Sequence, residues 1–244
     1  MNKQLKIWIS TVMMVVTAAT SQAINYSVAN VESWNYKVSA TLRGVRYDNE
    51  VATAIHLTTT DPSVGADHQS IWTYCTDFAG ALNVPQVVSF DRISGVGQTG
   101  LDPRNPWGAG GFQNAAFLVD KYGASAAASP IKSAGLALAV WETLYDSTGL
   151  QQGSFDFSSG SFRVRSVTDK GMLSSAKTYL AALDGSDYTP INNYWLRPST
   201  SGFPGNVGQG LIDPVRGGGS VPEGGVTIGL LGMALGGLML LRKP

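Results

Sequence analysis

The chain predicts an α+β fold: an antiparallel β-sandwich or barrel-like sheet with an inserted helical subdomain, followed by a single C-terminal transmembrane helix. Three observations predict it. From Tyr36 to Phe90 apolar residues alternate or gather in short β-branched and aromatic runs. From Phe112 to Leu183 they recur mainly at helical steps. Residues 226–241 carry no charge at all.

In the first region, Tyr36, Val38, Ala40 and Leu42 alternate with Lys37, Ser39, Thr41 and Arg43, the period of a strand with one buried face. Gly44 reads as a bulge, after which Val45 and Tyr47 resume the pattern. Residues 51–59 and 70–75 are two further strands, joined by the turn chemistry of residues 61–65, and residues 86–90 are another short one. Two prolines and three glycines make residues 102–111 a loop, with Trp107 as its plug on the core.

Phe112, Ala115, Ala116, Val119 and Tyr122 then mark a helix ended by Gly123 as its cap. Leu136, Val140 and Leu144, with Trp141 beside them, mark a second over residues 132–145, with Ser129 as N-cap and Pro130 in the first turn. A polar loop leads to residues 155–167, a strand pair, and Leu173, Ala176, Leu180 and Leu183 mark a third helix. Residues 193–196 are the last strand of a body that covers residues 24–197. The Pro, Gly and Ser-rich residues 198–220 read as a flexible linker. There is no internal repeat.

Residues 1–23 read as a secretory signal: Lys3 and Lys6 start it, an apolar run follows, and Ser21, Gln22 and Ala23 supply small residues for cleavage after Ala23. Removing both ends leaves about 199 residues, enough for one domain with a substantial core. The formal balance of 17 basic and 17 acidic residues then becomes 13 against 16, since Lys3, Lys6, Arg242, Lys243 and Glu223 are lost. A slightly acidic body offers no footprint for nucleic acid, which needs clustered Lys and Arg. Cys75 is the single cysteine, so no disulfide forms within the chain.

The C-terminal tail, residues 221–244, combines a short motif, an apolar segment and a basic end. At about 1.5 Å per residue, a helix over 226–241 measures roughly 24 Å, against about 30 Å for a hydrocarbon core. It spans only with thinning or snorkelling. Arg242 and Lys243 favour retention of that end on the cytoplasmic side. Val221, Pro222, Glu223, Gly224 and Gly225 precede the helix, where an extended peptide meets a membrane-embedded processing enzyme. This order resembles the PEP-CTERM sorting signal. The resemblance implies recognition and cutting by an exosortase, a transpeptidase-like membrane protein, and passage of the body through the inner membrane to the cell surface or an extracellular matrix. Gly224 stands where the second proline of Pro-Glu-Pro belongs, so the motif is a variant. The other reading is a plain single-pass tail anchor.

Trp72-Thr73-Tyr74-Cys75-Thr76-Asp77, taken with residues 115–122 and 136–146, is similar to the thioester domains of bacterial surface adhesins. In active members a Cys in a Tyr-Cys context joins the Gln of a Thr-Gln-x-Ala-Ile/Val-Trp motif in an internal thioester. Here Cys75 occupies the cysteine position, but Leu136 and Ala137 stand where Thr and Gln belong. That removes the carboxamide whose ammonia a thiolate must displace. The resemblance thus implies a degenerate thioester position, Cys75 with Ala137, and the residue-level reading of Cys75 is a small hydrophobe in a strand. An exposed thiol for an intermolecular disulfide is the alternative. Gln86, Gln98 and Gln113 lie outside the motif.

His56 and His68, the only histidines, could pair with Cys75 as a hydrolase dyad, although no motif supports it. Asp61, Asp67, Asp184 and Asp187 lack an EF-hand pattern and read as solvated turns. No metal or cofactor is expected. Trp34, Tyr36, Trp72, Tyr74, Trp107, Tyr194 and Trp195 either fill the core or offer flat faces to sugar rings. The sequence points to a non-catalytic binding or structural protein of the surface or matrix, whose partners are the exosortase, the inner membrane before sorting, and exopolysaccharide or matrix. The rivals are a covalent thioester adhesin and, more remotely, a secreted Cys-His hydrolase.

Overall fold

A computed structural model describes residues 23–78, 87–94, 107–108, 110–184, 194–198 and 210–213. The fold is mixed α+β, with a nearly closed antiparallel sheet and three α-helices among the described residues. In chain order the strands are β1 (Ala23–Val31), β2 (Lys37–Leu42), β3 (Val45–Val51), β4 (Ile55–Thr58), β5 (Ser70–Thr73), β6 (Val87–Ser94), β7 (Ser147–Gly149), β8 (Gln152–Gly153), β9 (Phe162–Val167), β10 (Tyr194–Pro198) and β11 (Leu211–Asp213). The helices are α1 (Gly111–Ala127), α2 (Pro130–Asp146) and α3 (Lys170–Leu180).

The main sheet runs β11-β10-β6-β1-β4-β5. Its two edges then meet: Cys75, just past β5, bridges Leu211, the Thr76 amide donates to Gly210 O at 2.7 Å, and the Ile212 amide donates to Tyr74 O at 3.2 Å. Alternation gives the sheet a dry inner face through Ile24, Tyr26, Val28, Ile55, Leu57, Ile71, Phe90, Leu196 and Leu211, all buried. Most of these positions are β-branched or aromatic, the residue types that pack on a pleated surface.

A second sheet, β3-β2-β9, buries Val38, Ala40 and Leu42 as their alternation requires. Between β2 and β3 the bulge expected at Gly44 is instead a two-residue turn. Arg43 and Gly44 have φ of 50° and 85°, and Leu42 pairs with Val45. Two consecutive left-handed residues match the twist of a tight hairpin, and glycine adopts the second without strain. The register irregularity of this pair lies further on, between Val38 and Ala40.

Helix α2 is buried from Ser133 to Asp146, packed against both α1 and α3, so it is apolar nearly all round, as a central helix should be. Pro130 sits in its first turn and Ser129 at its N-cap, although the Ser129 side chain makes no capping bond. Helix α1 does not stop at Gly123 but continues to Ala127. Gly123 is an ordinary helical position, where a Cβ would make only normal contacts with Val119 and the Tyr74 ring; its carbonyl accepts from the Tyr74 hydroxyl at 3.4 Å.

Four other expectations change. Of residues 51–59 only Ile55–Thr58 is a new strand, because Val51 closes β3 and Ala52 donates to Tyr36 O instead of joining the main sheet. The expected pair over 155–167 is one strand, β9, preceded by a loop folded on Asp156. The polar segment after Asp146 holds the small β7–β8 hairpin. Inside the expected linker, Leu211–Asp213 is a fully buried strand. The run is only three residues long, too short for any period to show, and its order comes from pairing with β10 and Cys75. The expected transmembrane helix, 226–241, lies outside the described residues, among which no helix is long and apolar enough to cross a membrane.

Candidate functional site

Ala23 opens β1, where it pairs with Asp91 of β6. The expected cleavage after Ala23 would remove this first residue of β1 and start the strand at the buried Ile24. Val221, Pro222, Glu223, Gly224 and Gly225 lie outside the described residues.

Cys75 is a free, buried thiol. Its bridge to Leu211 puts it by alternation on the same face as Thr73, whose hydroxyl donates to the carbonyl of Ile212. Tyr74 faces the other way, toward α1. Burial pushes the Cys75 thiol well above its usual range, with the Asp77 carboxylate adding to the effect. A neutral thiol in a dry setting is a poor nucleophile. Ala137 is buried in the middle of α2. It offers a methyl group and no carboxamide.

Neither histidine serves Cys75. His56 stacks on Trp72 with ring centroids 4.7 Å apart, and its Nε2 lies 2.9 Å from Ser70 Oγ on the outer face of the sheet. His68 is buried and bonds through Nδ1 to Asp213 Oδ1 at 2.7 Å, the carboxylate accepting. Asp213 Oδ2 accepts from Arg92 Nε at 2.9 Å, and the Arg92 guanidinium lies 3.6 Å over the Tyr194 ring. Tyr26 completes the cluster by donating to His68 O at 3.3 Å. Burial and the Asp213 charge together raise the Tyr26 phenol, which stays protonated. The cluster fastens β11 to β6 and to the turn before β5, at the one place where the barrel has no full strand pairing. Its geometry aligns an imidazole against a carboxylate, and what the described bonds do there is tie three parts of the sheet together.

A second polar cluster sits at the end of α2. Glu142 is 0% exposed; Oε1 accepts from the Phe157 amide at 3.2 Å, and Oε2 has no partner. Burial pushes its carboxyl up to about 9, so it is protonated at neutral pH. One turn later Asp146 accepts from the Ser161 and Phe162 amides. Together the two side chains fix the loop that leads into β9, including Phe157 at φ 62°. Neither Asp213, Arg92 nor Glu142 stands out as a site in the sequence. The available signal was a charge set inside an apolar run: Arg92 before Ile93, Glu142 after Trp141, and Asp213 after Leu211 and Ile212.

Trp107 does plug the core, stacked 5.3 Å from Phe112 and edge-on to Trp195. Trp195 and Tyr74 are buried, Trp72 is half-buried on the outer face, and Trp34 is exposed. No group of three or more His, Cys, Asp or Glu residues able to hold a metal occurs among the described residues. Comparison with known protein families, curated proteins and solved structures finds no match to this chain.

Proposed function

We propose that this chain is the precursor of an exported protein of the cell surface or extracellular matrix, sorted by an exosortase and acting there by binding or structure. The observation that carries the reading is the order of the tail: Val221 to Gly225 as a variant motif, the uncharged residues 226–241 as a membrane-spanning helix, then Arg242 and Lys243. The fold is compatible with it. Cleavage after Ala23 takes only the first residue of β1, and the last described strand ends at Asp213, before the tail, so the pairing of β1 from Ile24 onward and of β11 is kept. Within this reading the body is a barrel-like sheet carrying a helical subdomain, a thioester-domain likeness whose Cys75 is retained and whose Gln is replaced by Ala137.

The test is the intact mass of the protein recovered from its native host. The expected species lacks residues 1–23 and the segment from Val226 onward. Chains that all retain Leu238 to Pro244 would overturn the sorting reading in favour of a permanent tail anchor. The same spectrum addresses the covalent rival, since an internal thioester lowers the mass by about 17 Da, the ammonia released on acyl transfer.

A further inference from the structure

The outer face of the main sheet between β5 and β6 is unlike the rest of the surface. Register places Ser70 beside Thr58 and Ser27, Trp72 beside His56, and Asn25 beside Ser89. These outward positions hold hydroxyls, amides and rings, with no Lys, Arg, Asp or Glu. The first charges met on crossing toward β10 are Asp91 and Arg197, which neutralise each other at 2.8 Å. The second sheet shows the opposite habit: Arg46, Asp48, Arg163 and Arg165 are exposed there, and Arg165 pairs with Asp48. Among the described residues, the outward positions from Ser70 across to Ser89 thus carry no formal charge, with the Asp91–Arg197 pair at their border.

The groups on that face are also ordered. His56 holds its ring against Trp72 at an interplanar angle of 19° and bonds Ser70 Oγ; Ser89 Oγ donates to Asn25 Oδ1. Order of this kind lowers the entropy lost when a ligand binds. Four strands span three steps of about 4.8 Å, a gently curved platform roughly 14 Å across. A protein partner needs a dry apolar centre, and here only Trp72, the small Ala29 and the exposed Val87 are apolar. A polyhydroxylated chain needs the reverse: one aromatic plane for the C–H face of a ring, surrounded by fixed uncharged donors and acceptors.

We infer that this face is a binding site for a neutral polysaccharide, with Trp72, braced by His56, as its stacking platform. The inference rests on the matrix reading above and names the ligand class for it. Among the described residues the platform positions Asn25, Ser27, His56, Thr58, Ser70, Trp72 and Ser89 carry no formal charge, which suits an uncharged polymer better than a uronate or phosphate.

The experiment is native affinity electrophoresis of the host-processed protein in gels containing dextran, hydroxyethylcellulose or galactomannan, with alginate as the anionic comparison. At least one neutral polymer should retard the protein, and alginate should not. Trp72→Ala should weaken the retardation about tenfold, and Trp72→Phe should keep it within about threefold. Ser27 is exposed, so Ser27→Glu leaves the fold intact while placing a charge and a longer side chain on the platform; it should also weaken binding about tenfold. No retardation by any neutral polymer, retardation that survives both Trp72→Ala and Ser27→Glu, or equal retardation by alginate would each overturn the inference. Absence of binding by a correctly processed chain overturns this inference alone. Binding by a chain that still carries residues 238–244 overturns the sorting reading and leaves this one standing.

Discussion

Glu142→Gln should stabilise this protein, and more so as the pH rises. Glu142 is wholly buried near the end of α2 and accepts an amide bond from Phe157, and among the described residues no cation offsets its burial. Desolvation moves its carboxyl from an ordinary 4.5 to about 9, and the nearby Asp146 and Asp156 charges add to the shift. An acid raised in the folded state stabilises the fold fully below its unfolded value and loses that contribution as pH rises toward its folded value. The window is therefore about pH 4.5 to 9. At pH 7 the unfolded chain gains about 3 kcal/mol by ionising a group that the folded chain must keep protonated. Glutamine has nearly the same shape, keeps the carbonyl that faces the Phe157 amide, and cannot ionise in either state.

The assay is urea unfolding of the processed protein and of the variant at pH 4.5, 6, 7 and 8.5. The two should be nearly equal at the lowest pH. The variant should exceed the parent by about 2–3 kcal/mol at pH 7, which corresponds to roughly 4–12 °C in Tm for a domain of this size. A gap that does not grow with pH, or a variant less stable throughout, would refute the reasoning and show that Glu142 is ionised and paired in the fold.

Trp141 is 1% exposed and lies edge-on to Phe78 at 4.7 Å, so Trp141→Ala should cost about 3–5 kcal/mol by denaturant unfolding; a loss below about 1 kcal/mol would place the ring on the surface. Asp213→Ala should cost about 3–5 kcal/mol, because it leaves the Arg92 guanidinium buried without its carboxylate; unfolding of Asp213→Ala with Arg92→Met should recover much of that loss. Cys75 should take one thiol label only after denaturation, with no mass deficit of about 17 Da and no adduct with methylamine. Rapid labelling of the native protein would put the thiol on the surface, and a deficit restored by methylamine would show that another glutamine has replaced the one missing at Ala137.

The elements best foreseen from sequence are those whose burial is periodic. Val38, Ala40 and Leu42 face the core because a strand with one wet side must alternate, and Leu136, Val140 and Leu144 because a helix repeats every 3.6 residues. Gly44 and Gly123 were harder. Glycine marks a turn, a bulge or a cap equally well, and at Gly123 it marks none of them, since the helix runs on to Ala127. The β1 strand was hidden for another reason: it abuts the signal segment, and Ala23 belongs both to the cleavage pattern and to the strand. Of the candidate site residues, Cys75 is buried as expected of a small hydrophobe but lies past the end of β5, in a single bridge to Leu211, while the stacking of His56 on Trp72 is set by register and the bond of His68 by the distant Asp213, neither legible in spacing.

Leu211–Asp213 shows most clearly where local reasoning stops. Nothing in three residues between glycine-rich stretches demands a strand, yet each of them is wholly buried. Leu211 and Ile212 are placed by edges that the rest of the chain has already built: β10 on one side, Cys75 and Tyr74 on the other. Asp213 is placed by charges, since a carboxylate at that depth is tolerable only because His68 and Arg92 meet both of its oxygens. The same arrangement bears on the tail. Leu211–Asp213 is held by backbone bonds on both edges and by two side-chain bonds at its last residue. Under the sorting reading proposed above, a cut beyond Asp213 removes none of these bonds, so release from the tail would not open the sheet.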